Sequence, residues 1–156
     1  MELNSAKMLE VAERVIYAAI RLTRAAGIKE KDGGYLAIFE ISRGNLEVLA
    51  AAGYSPQEKI EGRQRVSQEK CIRILANGHN TSYESRNPAA GLWGGAVRGT
   101  DFIFSFSGLP ELWDEAAMFV LAIRLRQLRE YDVLAQISEE RNPHLRPLLE
   151  ACHWTE

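Results

Sequence analysis

Between Gly94 and Met118 the chain reads GGAVRGTDFIFSFSGLPELWDEAAM, and much of its candidate chemistry lies there. Ser107 stands at a strand-to-helix corner, the best-placed hydroxyl for nucleophilic attack. A G-x-S-x-G elbow would need glycines on both sides, but Ser105 and Leu109 stand in those places. Ser107 is therefore expected to bond the first free amides of the following helix, as serine does at helix starts. Asp114 and Glu115 form an acid/base-type pair, yet carboxylates in a first helical turn also complement the helix dipole and need no other role. With Glu111 they are expected to repel an anion from that helix start. Gly94 and Gly95 lack a dinucleotide-binding fingerprint, and no Lys-Ser/Thr follows to complete a P-loop. Trp93, Trp113, Tyr83 and Phe102 could wall a flat ligand or serve as core.

Metal and thiol chemistry have little to draw on. His79, His144 and His153 are far apart, and Pro143 interrupts any helical pairing of Glu140 with His144. Cys71 and Cys152 form no CxxC spacing, and Cys71 falls among apolar helix positions as a small buried residue would.

Composition sets the class. The chain has 156 residues, 46% hydrophobic and 26% charged, with a formal net charge of −2, enough for one domain with a real core. That balance gives no electrostatic reason to expect nucleic acid or an anionic membrane as partner. The densest basic stretch, RLRQLRE (Arg124 to Glu130), reads as a solvated helix face. Glu10, Glu13 and Arg14 interrupt any signal-like apolar run, and no apolar stretch is long enough to cross a bilayer, so the expected location is the cytoplasm.

The elements that position these residues follow from periodicity. From about Asn4 to Ala26, apolar residues recur in steps of three and four, with Gly27 as the stop. YLAIFEI (35–41) and LEVLAAAGY (46–54) flank SRGN and read as a β-hairpin. SPQE (55–58) reads as a capping box with proline at the first helical position, opening a helix to Asn77 closed by Gly78. Its inner side is expected at Ile60, Ser67, Cys71, Ile74 and Leu75, and Gly62 weakens it unless close packing requires a missing side chain. Residues 79–95 have no period and many turn formers, with a short strand expected around Thr81 to Tyr83. Two strands follow at 95–98 and 101–106, the second placing Phe102, Phe104 and Phe106 on one covered face. A third helix from Leu109-Pro110-Glu111 is expected to run past Tyr131 toward Ile137, and a short one over 143–151. Hairpins between helices argue for an α+β fold: one antiparallel sheet flanked by helices in the order α-β-β-α-β-β-α. The expected organisation is a single domain over 1–156, with 132–156 as a helical C-terminal extension.

FIFSFSGLPELWDEAA, the preceding Gly94-Gly95 and the middle-helix run VSQEKCIRIL with its Lys70-Cys71 together resemble the GlcG/HbpS-like family, also seen as the C-terminal domain of PduO-type proteins. The chain departs from that pattern at Val97, where the family has proline nearby, and at Phe106, which replaces a glycine before Ser-Gly. The resemblance implies a profilin-like or GlcG-like order of elements, oligomeric assembly and haem or cobalamin as ligand, sometimes with haem degradation or sensing. It points to Gly94, Gly95, Thr100, Ser107 and Gly108, with Trp93 as an aromatic wall and Lys70 and Arg98 as partners for an acidic ligand group. No histidine matches a family ligand position.

The leading expectation is a homo-oligomeric module that binds or senses a planar or apolar small molecule without catalysis. The alternative is an oligomeric scaffold contacting partners through Trp93, Trp113 and the third helix. A third idea is an enzyme acting through Ser107 and the Asp114/Glu115 pair.

Overall fold

A computed structural model describes residues 3–154. Helix α1 (Ser5–Ala25) begins where the Asn4 side chain accepts from the Lys7 amide, which satisfies one of the amides left free at a helix start. Strands β1 (Gly33–Glu40) and β2 (Asn45–Gly53) form the expected hairpin. Helix α2 (Ile60–Asn77) leads through residues 79–95 to β3 (Ala96–Arg98) and β4 (Phe102–Ser107). Helices α3 (Glu111–Arg124), α4 (Glu130–Gln136) and α5 (Leu145–Ala151) complete the chain.

The fold is the expected α+β: one open, four-stranded antiparallel sheet in the order β2-β1-β4-β3, flanked by helices. Alternation along β4 assigns the layers. Phe104 and Phe106 are fully buried in a core with α1, α3 and α5, and half-buried Phe102 packs against it. Ile103 faces the other way, joining Ala37, Phe39 and Ala96 beneath Cys71 and Ile74 of α2. Both faces are therefore covered, and α3 lies so deep that Trp113 through Ala122 are all buried.

Several local expectations are corrected. The Ser55 capping box does not form: a 3-10 turn, Gln57–Lys59, precedes α2, and the Ser55 hydroxyl instead accepts from Arg63. The inner side of α2 also carries Arg63, Lys70 and Arg73, all buried. The strand expected at Thr81 to Tyr83 shrinks to one bridge, Thr81 to Val97, before a 3-10 turn over Ser82–Ser85.

The third helix stops at Arg124, so RLRQLRE is a helix end and not a helix face. Arg126 adopts φ 59°, a left-handed conformation that breaks the helix. Gln127 then turns its side chain onto the Asp101 amide at 2.7 Å and offers its carbonyl to the Thr100 hydroxyl at 2.9 Å. Val133, Leu145, Leu148, Leu149 and Cys152 join the same core as α1 and α3.

Two glycines illustrate opposite constraints. A Cβ on Gly108 (φ 155°) would sit 2.1 Å from the Gly33 carbonyl oxygen, whereas a Cβ on Gly62 meets nothing within 4 Å. Gly108→Ala is expected to destabilise by about 3 kcal/mol through strain and overpacking. Gly62→Ala is expected to stabilise by roughly 0.5–1 kcal/mol. Urea unfolding of the two variants checks both signs.

Candidate functional site

The corner that ends β4 is built from main chain. Gly33 and Gly34 of β1 press against Ser107 and Gly108 so closely that a Cβ on Gly34 would lie 2.1 Å from the Ser107 carbonyl oxygen. This contact brings the start of β1, the end of β4 and the start of α3 to one place. A cleft of about 340 Å³ opens there, lined by Lys31, Lys59, Arg63, Trp93, Gly94, Ser107, Gly108, Leu109, Glu111 and Asp114.

Beneath it lies a buried ion pair. Lys70 of α2 is 1% exposed and Asp114 of α3 is 3% exposed. The Lys70 Nζ donates to the Phe106 carbonyl at 2.7 Å and lies 3.6 Å from Asp114 Oδ2. Asp114 Oδ1 accepts from the Leu109 amide at 2.9 Å. Burial pushes Asp114 up to about 7, opposed by the nearby Lys70 charge, and the same desolvation lowers Lys70. Gly95 has no room for a side chain, since a Cβ would meet Lys70 Nζ at 2.6 Å.

Cations and anions are unequally matched around the cleft. Arg86 clasps Glu111 through two nitrogens, at 3.1 and 2.6 Å, and the Gly94 amide donates to Glu111 Oε2 at 2.7 Å. Lys31, Lys59 and Arg63 have no carboxylate partner among the described residues. Arg63, only 9% exposed, donates Nη1 to the Gly33 carbonyl and the Ser55 hydroxyl, leaving Nε and Nη2 without a protein partner and not sealed from solvent. The expected repulsion of anions is thus reversed. Glu111 and Asp114 each have a cation, and the surplus charge is positive.

Glu115 is handled elsewhere. It is fully buried, receives two 2.7 Å bonds from Arg141 and a third from Asn142 at 2.9 Å, and takes no part in the cleft. Arg141 also stacks 3.4 Å from the Tyr83 ring centroid. Neither Asp114 nor Glu115 is merely a dipole complement.

Of the residues picked from sequence, Trp93, Gly94, Ser107 and Gly108 line the cleft, while Lys70 and Gly95 lie directly behind it. Arg98 and Thr100 are placed elsewhere: Arg98 borders a hollow of about 480 Å³ beside α4, and Thr100 one of about 640 Å³ with Gln127. These hollows are larger, but the buried ionisable groups converge at the smaller cleft, and that convergence marks the candidate site. Ser107 does not cap α3; the Leu109 amide is held by Asp114, and the Ser107 hydroxyl has no partner among the described residues. Trp113 is buried and stacks on His144 at 4.1 Å, so it is no contact surface. Lys31, Lys59 and Arg63 were missed. Arg63 lies one helical turn before Ser67 and two before Lys70, a spacing that places all three on one face.

Burial pushes the Cys71 thiol up, and Cys152 up to about 11, so neither offers a thiolate at neutral pH. Among the described residues no group of three or more His, Cys, Asp or Glu could hold a metal ion, and no helix is long and apolar enough to cross a membrane. Among the residues lining the cleft there is no imidazole, thiolate, thioether or phenolate, the groups that commonly ligate haem iron.

No family model, no curated protein and no solved structure matches the chain.

The buried pair makes stability depend on pH with a definite sign. The folded-state pKa of Asp114 is raised above its ordinary 3.8, so its protonated form favours the fold. Its contribution is full below about pH 4 and is lost as pH rises through about 7. The unfolding free energy of the wild type, measured against Asp114→Asn, is expected to fall between those values. Denaturant melts across that range check it.

Proposed function

We propose that the protein is a small-ligand-binding module whose cleft takes a compact acidic molecule. The observation that carries this reading is the unmatched positive charge of Lys31, Lys59 and the buried Arg63 around one concave site. A guanidinium held by two protein acceptors is preorganised, so little freedom is lost when it bonds a ligand oxygen. The cleft volume of about 340 Å³ lies at the lower end of the range for small-molecule sites. Trp93, exposed on the wall, offers a flat apolar surface beside the charge. The motif residues that resemble the GlcG/HbpS-like family border this cleft, which supports a binding position of the same kind. The Ser107 hydroxyl makes no hydrogen bond to a base among the described residues, and the reading rests on binding alone.

Calorimetric titration with small carboxylates, phosphates and their esters, with haem and cobalamin as comparison, tests it. At least one acidic compound is expected to bind with a Kd below 1 mM (about −4 kcal/mol). Lys59→Glu, on an exposed rim position, is expected to weaken that binding about tenfold or more. Saturable binding of haem or cobalamin alone, or no binding by any acidic compound, would overturn it.

A second reading, an oligomeric scaffold, is favoured by one further feature. Strand β2 is the outer strand of the sheet, paired only with β1, and exposes Leu46, Leu49 and the adjoining Tyr54. An unpaired apolar edge is a template for antiparallel pairing with β2 of a second copy. Sedimentation equilibrium is expected to give a dimer or larger, and Leu49→Lys to shift it to monomer. A monomeric wild type at high concentration would end this reading.

A further inference from the structure

Resting on the reading of the cleft as an anion site, we infer that its ligand presents a dianionic head group, a phosphate monoester or paired carboxylates, and that Asp114 takes up a proton when this head group binds. The charge count comes first. Lys31, Lys59 and Arg63 ring the cleft without acidic partners among the described residues. Glu111 is matched by Arg86 and Asp114 by Lys70. A monoanion would leave two of the three cations repelling each other in a partly enclosed space. A dianion answers most of the surplus and presents enough oxygens to reach several donors.

The donors suit such a group. Arg63 keeps Nε and Nη2 free of protein acceptors and reachable, fixed by its bonds to Gly33 and Ser55. The Ser107 hydroxyl lines the same cleft and has no acceptor within the described residues. Lys31 and Lys59 are exposed on the rim, free to close on an oxygen.

Asp114 supplies the second half. Asp114 borders the cleft and its carboxyl lies beneath it, 3.6 Å from Lys70 Nζ and bonded to the Leu109 amide, so an anion entering there comes close to it. The charged groups facing it are Lys70 and Arg63 from α2, Lys59 from the turn before α2, Lys31 from the segment before β1, and Glu111 from its own helix, with Arg86 behind Glu111. The positive field of Lys31 helps to hold Asp114 ionised. A dianion cancels that field and adds a like charge next to a carboxyl that burial already disfavours in its ionised form. The carboxyl therefore gains a proton, which removes the like charge beneath the bound anion.

Sulfate is the direct probe, since it is a dianion with no titration between pH 5 and 9. Calorimetric titration at pH 7.5 in two buffers of different ionisation enthalpy is expected to show uptake of between about half and three quarters of a proton, since a group titrating at about 7 is already partly protonated there. The sulfate Kd is expected to be flat below about pH 6.5 and to rise by up to tenfold per pH unit above 7. Acetate is expected to bind at least tenfold more weakly than sulfate. Asp114→Asn is expected to abolish proton uptake and flatten the pH profile; should that variant not fold, the two-buffer measurement on the wild-type protein decides alone. Inorganic phosphate and malonate, run beside sulfate, separate the two head-group chemistries. Sulfate binding with no uptake, or with proton release, overturns the protonation while leaving the anion site standing. Acetate binding as tightly as sulfate overturns the dianion. No binding of any of these anions removes both this inference and the reading beneath it.

Discussion

Helix α3 lies where neither Asp114 nor Glu115 can reach bulk water freely, and the rest of the molecule is arranged around that constraint. A buried carboxylate without a cation and hydrogen-bond donors is strongly disfavoured. Asp114 is answered by Lys70, reaching from the helix on the opposite face of the sheet, and by the Leu109 amide. Glu115 is answered by Arg141 and Asn142 from the segment between α4 and α5. One helix start thereby fixes the position of α2 on one side and of the C-terminal segment on the other. Lys70 can cross between the layers because Gly95 leaves its ammonium the space a side chain would fill.

The cleft is a by-product of that arrangement. Once Glu111 and Asp114 have cations of their own, three further positive side chains converge with nothing of the protein to balance them. Surplus charge around a concave site is electrostatically unfavourable in the free protein and favourable once an anion is present. The ion pair and the rim are distinct: α2 supplies Lys70 to the first and Arg63 to the second, while Lys59 and Lys31 come from the turn before α2 and the segment before β1.

Much of this was legible in the sequence. Apolar spacing gave α1 and the end of α2, the SRGN turn gave the hairpin, and the three phenylalanines gave the covered face of β4. The corner at Ser107 and Gly108, the glycines at 94 and 95 and Lys70 stood out in the sequence, and the fold brings them to one place. What escaped has a common cause. Arg63, Lys70 and Arg73 lie on the buried side of α2, where a charged residue is expected only if a distant partner awaits it, and periodicity carries no information about partners. Likewise Glu115 reads as a helix-start acid until Arg141, far along the chain, is brought to it by the fold. The break after Arg124 rests on Gln127 gripping the turn at Asp101, a tertiary contact that overrides a helical pattern running through it.

Where β1 and β4 meet at the cleft, backbone touches backbone with no atom to spare. Such a floor has no side chains through which substitution could alter what it holds. A change in what the cleft holds would have to come from the side chains around that seat, Arg63 and Ser107 within and Lys31, Lys59 and Trp93 at the lip, leaving the glycine base unchanged. Three of those side chains stand exposed at the lip, above a seat that has no room for an added atom.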